Sequence, residues 1–132
     1  MNLRNHLYSL AVFGAFSLSF SASAVDIALQ KHPNVIAVKV QSRGIEVFDF
    51  DVTVSSPYDT PQRYADAFRV MGKDGTVYGE RALLHDHAGE QPFTRDLHGV
   101  KIPDAVRVVV VQARDQKFGY GGKTAEVMLP GR

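Results

Sequence analysis

The sequence predicts an all-β fold, an antiparallel sandwich of seven strands. Three observations point to it. From Val35 onward apolar and polar residues alternate with period two, the signature of strands with one wet face and one buried face. Turn signals containing Gly, Pro or Asp interrupt that alternation at short intervals. The resulting segments number seven within about a hundred residues, the density of a small β-sandwich.

The first strand is VIAVKVQ (35–41), with Ile36, Val38 and Val40 on one face and Lys39 and Gln41 on the other; Ser42-Arg43-Gly44 reads as the turn after it. EVFDFDVTVS (46–55) follows, with Phe48, Phe50, Val52 and Val54 inward and Asp49, Asp51, Thr53 and Ser55 outward. Two prolines make SSPYDTPQR (55–63) a loop. YADAFRVM (64–71) and TVYGERALL (76–84) flank a Lys73-Asp74-Gly75 hairpin turn. HDHAGEQ (85–91) is the next loop and PFTRDLH (92–98) the fifth strand. AVRVVVVQAR (105–114) is the most apolar segment and is expected at the centre of its sheet. The Gly-rich DQKFGYGGK (115–123) is read as a loop, and TAEVMLP (124–130) as the last strand. A segment near Asp26 to Lys31 has room for one helical turn and no more.

The chain opens differently. Arg4 precedes an uncharged apolar run from Leu7 to Phe20, and Ala22-Ser23-Ala24 supplies small residues at both positions a signal peptidase reads. The run is short for a membrane span of ~20 residues. Residues 1–24 are therefore expected to be a signal peptide, removed to leave a single domain at 25–132 in the periplasm or outside the cell. No membrane span is expected in the mature chain. No cysteine follows the cleavage site, so neither a thioether lipid anchor, a disulfide nor a thiolate metal ligand is expected. The mature segment carries 14 basic and 14 acidic residues, without the basic patch that nucleic acid demands.

YADAF, LLHDHAGEQPFTR, LHGVKIPDAV and ARDQKFGYGGK together resemble a family of small exported proteins with an Ig-like, fibronectin type III-like fold. The resemblance spans roughly Ile45 to Pro130. It implies a fold and an exported location, and no particular reaction. The family's pattern often carries a histidine just before the GYGG run, where this chain has Phe118. The Trp and the Cys pair of antibody domains are absent, which leaves Phe68 to fill the corresponding core position.

In an up-and-down antiparallel chain, connections alternate between the two ends of the sandwich. The loops 55–63, 85–91 and 115–122 should therefore cluster, with His32-Pro33 beside them. Function on a rigid scaffold tends to sit on such loops. The candidate contact surface is Tyr58, Asp59, His85, His87, Glu90, Phe118 and Tyr120, its partner an unknown protein or glycan. The aromatics Phe118 and Tyr120 have the alternative of folding inward to plug the core.

His85 and His87 lie two apart, so in extended backbone both rings reach one ion, copper or zinc, with an oxygen from Asp59, Asp86, Glu90 or Asp115 or a third imidazole from His32. The ordinary alternative, preferred for an isolated H-x-H, is that the rings cap backbone or face water. His98, at the other end of its strand, is expected to stay out of this group. Asp66 and Arg95 fall on the inward parity of the third and fifth strands and are expected to meet as a structural pair, because a lone buried charge is too costly. Catalysis is not expected. Ser55 and Ser56 lack a nucleophile elbow, and GYGG lacks the following helix of a phosphate loop.

Overall fold

The structure, a computed structural model, describes residues 29–132. The expected signal peptide lies outside the described residues. Seven strands follow in order: β1 (Asn34–Gly44), β2 (Val47–Ser55), β3 (Ala65–Gly72), β4 (Val77–Ala82), β5 (Phe93–Lys101), β6 (Val108–Asp115) and β7 (Gly119–Met128). All pairings are antiparallel, and they form two sheets, β1-β2-β5 and β4-β3-β6-β7.

The inner faces supply one core. Phe48, Phe50, Val52 and Val54 from β2 meet Phe68 and Val70 from β3 and Val109, Val111 and Ala113 from β6. Phe68 is fully buried, in the core position expected for it. β6 lies inside its sheet, between β3 and β7, as its apolar composition predicts. The β5–β6 connection and the residues after β7 close the end away from the long loops. Ile102 is fully buried there, its N–H bonded to the Glu46 carbonyl. Arg132 donates to the carbonyls of Ile102, Pro103 and Val106, and its guanidinium lies 4.9 Å from the Phe48 ring centre.

Bulges alter three readings of the sequence. In β1 the register passes from Val35↔Val54 to Ala37↔Thr53, so Ile36 is an extra residue. It is 48% exposed while Val35 is buried, which reverses the inward parity expected at that end of the strand. In β3, Ala65 opposes Asp115 and Ala67 opposes Arg114, leaving Asp66 as the bulged residue. In β7 the bulge falls at the glycines. β7 begins at Gly119, so residues expected in a loop belong to a strand. Gly122 has φ +74°, and a Cβ there would stand 2.1 Å from the Pro33 carbonyl oxygen. A Cβ on Gly121 would overlap the His32 ring. These glycines let the segment before β1 lie directly on β7.

The expected Asp66–Arg95 pair does not form. The bulge carries Asp66 off the inward parity, and its Oδ2 accepts from Arg114 Nη1 at 3.4 Å. Arg95 sits on β5, an edge strand, so its long side chain escapes sideways and meets Glu90 through two N–H···O bonds of 2.9 and 3.2 Å.

The β1 bulge makes neighbouring residues unequal. Val35→Ala should destabilise the fold by about 2 kcal/mol, whereas Ile36→Ala should stay within about 0.5 kcal/mol of wild type. Equal losses in urea-unfolding midpoints would contradict this register.

Candidate functional site at the loop-rich end

The inward parity of β6 runs Val109, Val111, Ala113 and on to Asp115, which is 0% exposed. A carboxylate in that position must be satisfied from all sides. Tyr58 Oη donates to its Oδ1 at 2.6 Å, and the Lys117 and Phe118 amides donate to Oδ2 at 2.9 and 2.8 Å. Arg63 Nε completes the set at 3.2 Å from Oδ1 and 3.3 Å from Oδ2. Burial opposes the charge, yet these donors together hold Asp115 below the usual carboxylate range. The same contact raises Tyr58, first by burial and then by its bond to Asp115, so the phenol remains a donor.

Arg63 extends the network. Its Nη2 donates to the Gln30 carbonyl at 2.7 Å. Its guanidinium carbon stands 4.1 Å from the Tyr58 ring centre and 4.9 Å from that of Phe118. Phe118 remains 42% exposed, with Lys31 Nζ at 5.7 Å and Lys117 Nζ at 5.3 Å from its ring centre. It stands out of the fold rather than plugging it.

Asp59 likewise ties neighbouring loops together. It is buried, and its two oxygens accept from the Ala65 and His87 amides at 3.1 and 3.0 Å. Burial pushes its carboxyl up, against the pull of those amides. Gln91 bridges the same loops, accepting from the Ser56 amide and donating to Ser56 Oγ and the His87 carbonyl. The three loops and the His32 segment thus form one connected platform, at the end where the strand count places them.

Tyr120 lies outside that platform. Its position on β7, opposite Arg114, turns it to the outer face of the four-stranded sheet. There its hydroxyl donates to Glu80 at 2.5 Å and the Arg69 guanidinium covers its ring at 3.8 Å. The early start of β7 is the reason.

His85 and His87 do come together, with ring centres 5.0 Å apart. The His87 ring stacks on Phe93 at 3.9 Å, and His85 Nδ1 is 2.9 Å from the Asp86 carbonyl oxygen. His87 is pushed down by burial, then by the nearby positive charge of Arg95 and by His85. The further metal ligands expected for them are otherwise engaged. Asp59 and Asp115 hold backbone and side-chain donors, Glu90 holds Arg95, Asp86 accepts from the Ala88 amide, and His32 Nδ1 lies 3.1 Å from the Gly119 oxygen. Among the described residues no group of three or more His, Asp or Glu side chains is placed to hold a metal ion.

His98 stays apart, as expected. It bridges Asp49 and Asp96 on the outer face of the three-stranded sheet, at 3.1 and 2.9 Å. Those two carboxylates raise its pKa, while the Gly99 amide and His98 lead in drawing Asp49 down to about 2.

No protein-family model and no solved structure matches the chain. Over 97 residues it is 37% identical to a protein of Halomicrobium mukohataei described as "Putative lipoprotein". The matched stretch covers 74% of this chain and 47% of that protein, so the chain spans about half the length of the curated relative.

Two titrations test these networks. Asp115 is depressed on folding, so its stabilising contribution is full above the unfolded value of about 3.9 and is lost as pH falls through the folded pKa. Asp115→Asn should cost about 3 kcal/mol at pH 7, and the difference from wild type in urea unfolding should narrow in strong acid. His98 is raised, so its contribution is present below about pH 6.5 and disappears as pH rises through the folded pKa. His98→Gln should melt below wild type at pH 6 and together with it at pH 9; a gap that widens with pH would contradict the bridge.

Proposed function

We propose that this chain is an exported, non-catalytic binding or accessory module with an Ig-like, fibronectin type III-like fold, working in the periplasm or outside the cell. The division of seven strands into β1-β2-β5 and β4-β3-β6-β7 supports that fold family. The lipoprotein description of the Halomicrobium relative supports a place outside the cytoplasm. No helix among the described residues is long and apolar enough to cross a membrane.

The observation that carries the binding reading is Phe118. An exposed aromatic ring normally costs solubility, and here it is held out on a turn whose amides are fixed by a buried carboxylate. Three cations, Lys31, Arg63 and Lys117, surround it. A rigid apolar surface with a positive rim suits an acidic partner, protein or glycan, that offers an apolar face.

Poly-L-glutamate and polygalacturonate stand in for the two partner types. The chain should bind one or both in a salt-sensitive manner, measured by fluorescence anisotropy of the labelled polymer. Phe118→Ala should weaken that binding at least tenfold without lowering the melting temperature, and Lys117→Ala a few-fold. Failure to bind either polymer, or equal binding by Phe118→Ala, would remove the reading.

A further inference from the structure

A shallow groove of about 340 Å³ opens where the edge strands β4 and β5 pass each other below the His85 loop. Arg81, Leu83, Leu84, His85, His87 and Arg95 line it, and no carboxylate does. Its volume falls at the low end of small-ligand pockets, which run from ~300 Å³ upward.

The charges around it are arranged with one polarity. Arg81 Nη1 bonds to Asp96, and Arg95 uses both terminal nitrogens on Glu90 and the Thr94 carbonyl. Both acids are held by these guanidinium groups, and neither lines the groove. Arg81 Nη2 and Nε and Arg95 Nε have no partner among the described residues. Neither ring nitrogen of His87 has one either, and its Nδ1 is sealed from solvent. A divalent cation in this groove would meet two guanidiniums and no carboxylate. An anion would meet unspent N–H donors. Leu84, 84% exposed, and the buried Leu83 add an apolar wall beside them.

We infer that this groove binds a carboxylate carried on a small apolar body, with the guanidiniums of Arg81 and Arg95 taking the charge and Leu83 and Leu84 the apolar portion. Two sources share that chemistry: a free short-chain carboxylic acid and the C-terminus of a peptide ending in an apolar residue. The inference rests on the reading of the loop-rich end as a contact surface and names the chemistry of one region of it.

The test is an NMR titration of the His85 and His87 ring resonances with hexanoate, N-acetylleucine, hexylammonium and zinc. Hexanoate or N-acetylleucine should shift both rings saturably, and tighter binding of N-acetylleucine identifies the peptide terminus. Arg95→Gln should weaken the carboxylate at least tenfold. So should Leu84→Asp, which places a negative charge in the groove at an exposed position that the core does not use. Phe118→Ala should leave the affinity unchanged, so loss of polymer binding at Phe118 and loss of carboxylate binding in the groove are read separately. The inference is overturned if neither carboxylate moves the rings, if hexylammonium or zinc moves them in place of the carboxylates, or if Arg95→Gln binds as wild type does. Loss of carboxylate binding in Phe118→Ala would also overturn it, by moving the site to the other region of the surface.

Discussion

The buried negative charge of Asp115 is the constraint on which the loop-rich end depends. A carboxylate withdrawn from water is tolerated only when donors replace its hydration. Those donors come from three places in the chain: Tyr58, Arg63, and the amides of the following turn. Meeting that demand fixes the β2–β3 loop against the β6–β7 turn. It also orients Arg63, which then reaches the segment before β1. The exposure of Phe118 is a consequence, because its own amide is one of the groups held by Asp115. Asp59 ties the β4–β5 loop to the same assembly through the His87 amide.

This arrangement explains how a chain with balanced charges acquires a local sign. At the loop-rich end the acids are used internally. Asp59 and Asp115 are buried, Asp86 caps its own loop, and Glu90 is held by Arg95. The cations Lys31, Lys117 and a portion of Arg63 face outward around Phe118, and two further guanidiniums line the groove by β4 and β5. Net charge says nothing of such a division. It arises because carboxylates accept backbone N–H groups in loops, and Lys and Arg have no acceptor role to play there.

Much of the fold is legible in the sequence because period-two alternation directly reports a half-buried strand. Phe48 to Val54 and the long run of β6 fall where that alternation puts them, and the grouping of the long loops follows from counting strands. Asp115 is also within reach, since it continues the inward parity of Val109, Val111 and Ala113. The departures on β1 and β3 share one cause. A bulge adds one residue and exchanges the two faces beyond it, and nothing in VIAVKVQ or YADAF marks where it falls. Alternation alone therefore puts Ile36 and Asp66 on the wrong face, and the expected partnership of Asp66 with Arg95 goes with them. Tyr120 is misplaced for a related reason: the glycines around it resemble a loop, but Gly121 and Gly122 are there to admit His32 and Pro33. Arg63 gives no signal, because its partners are distant in sequence and meet it only in the folded chain.

The packing of His32 and Pro33 on the bare backbone of β7 also gives the domain a direction. The chain comes into the sandwich beside Phe118, through Gln30 and Lys31, whereas Arg132 is anchored among carbonyls at the opposite end. A domain held to a surface from that side would present its closed end outward and its loops toward the surface. Held through the opposite end, it would leave Phe118 and the neighbouring groove open to a diffusing partner.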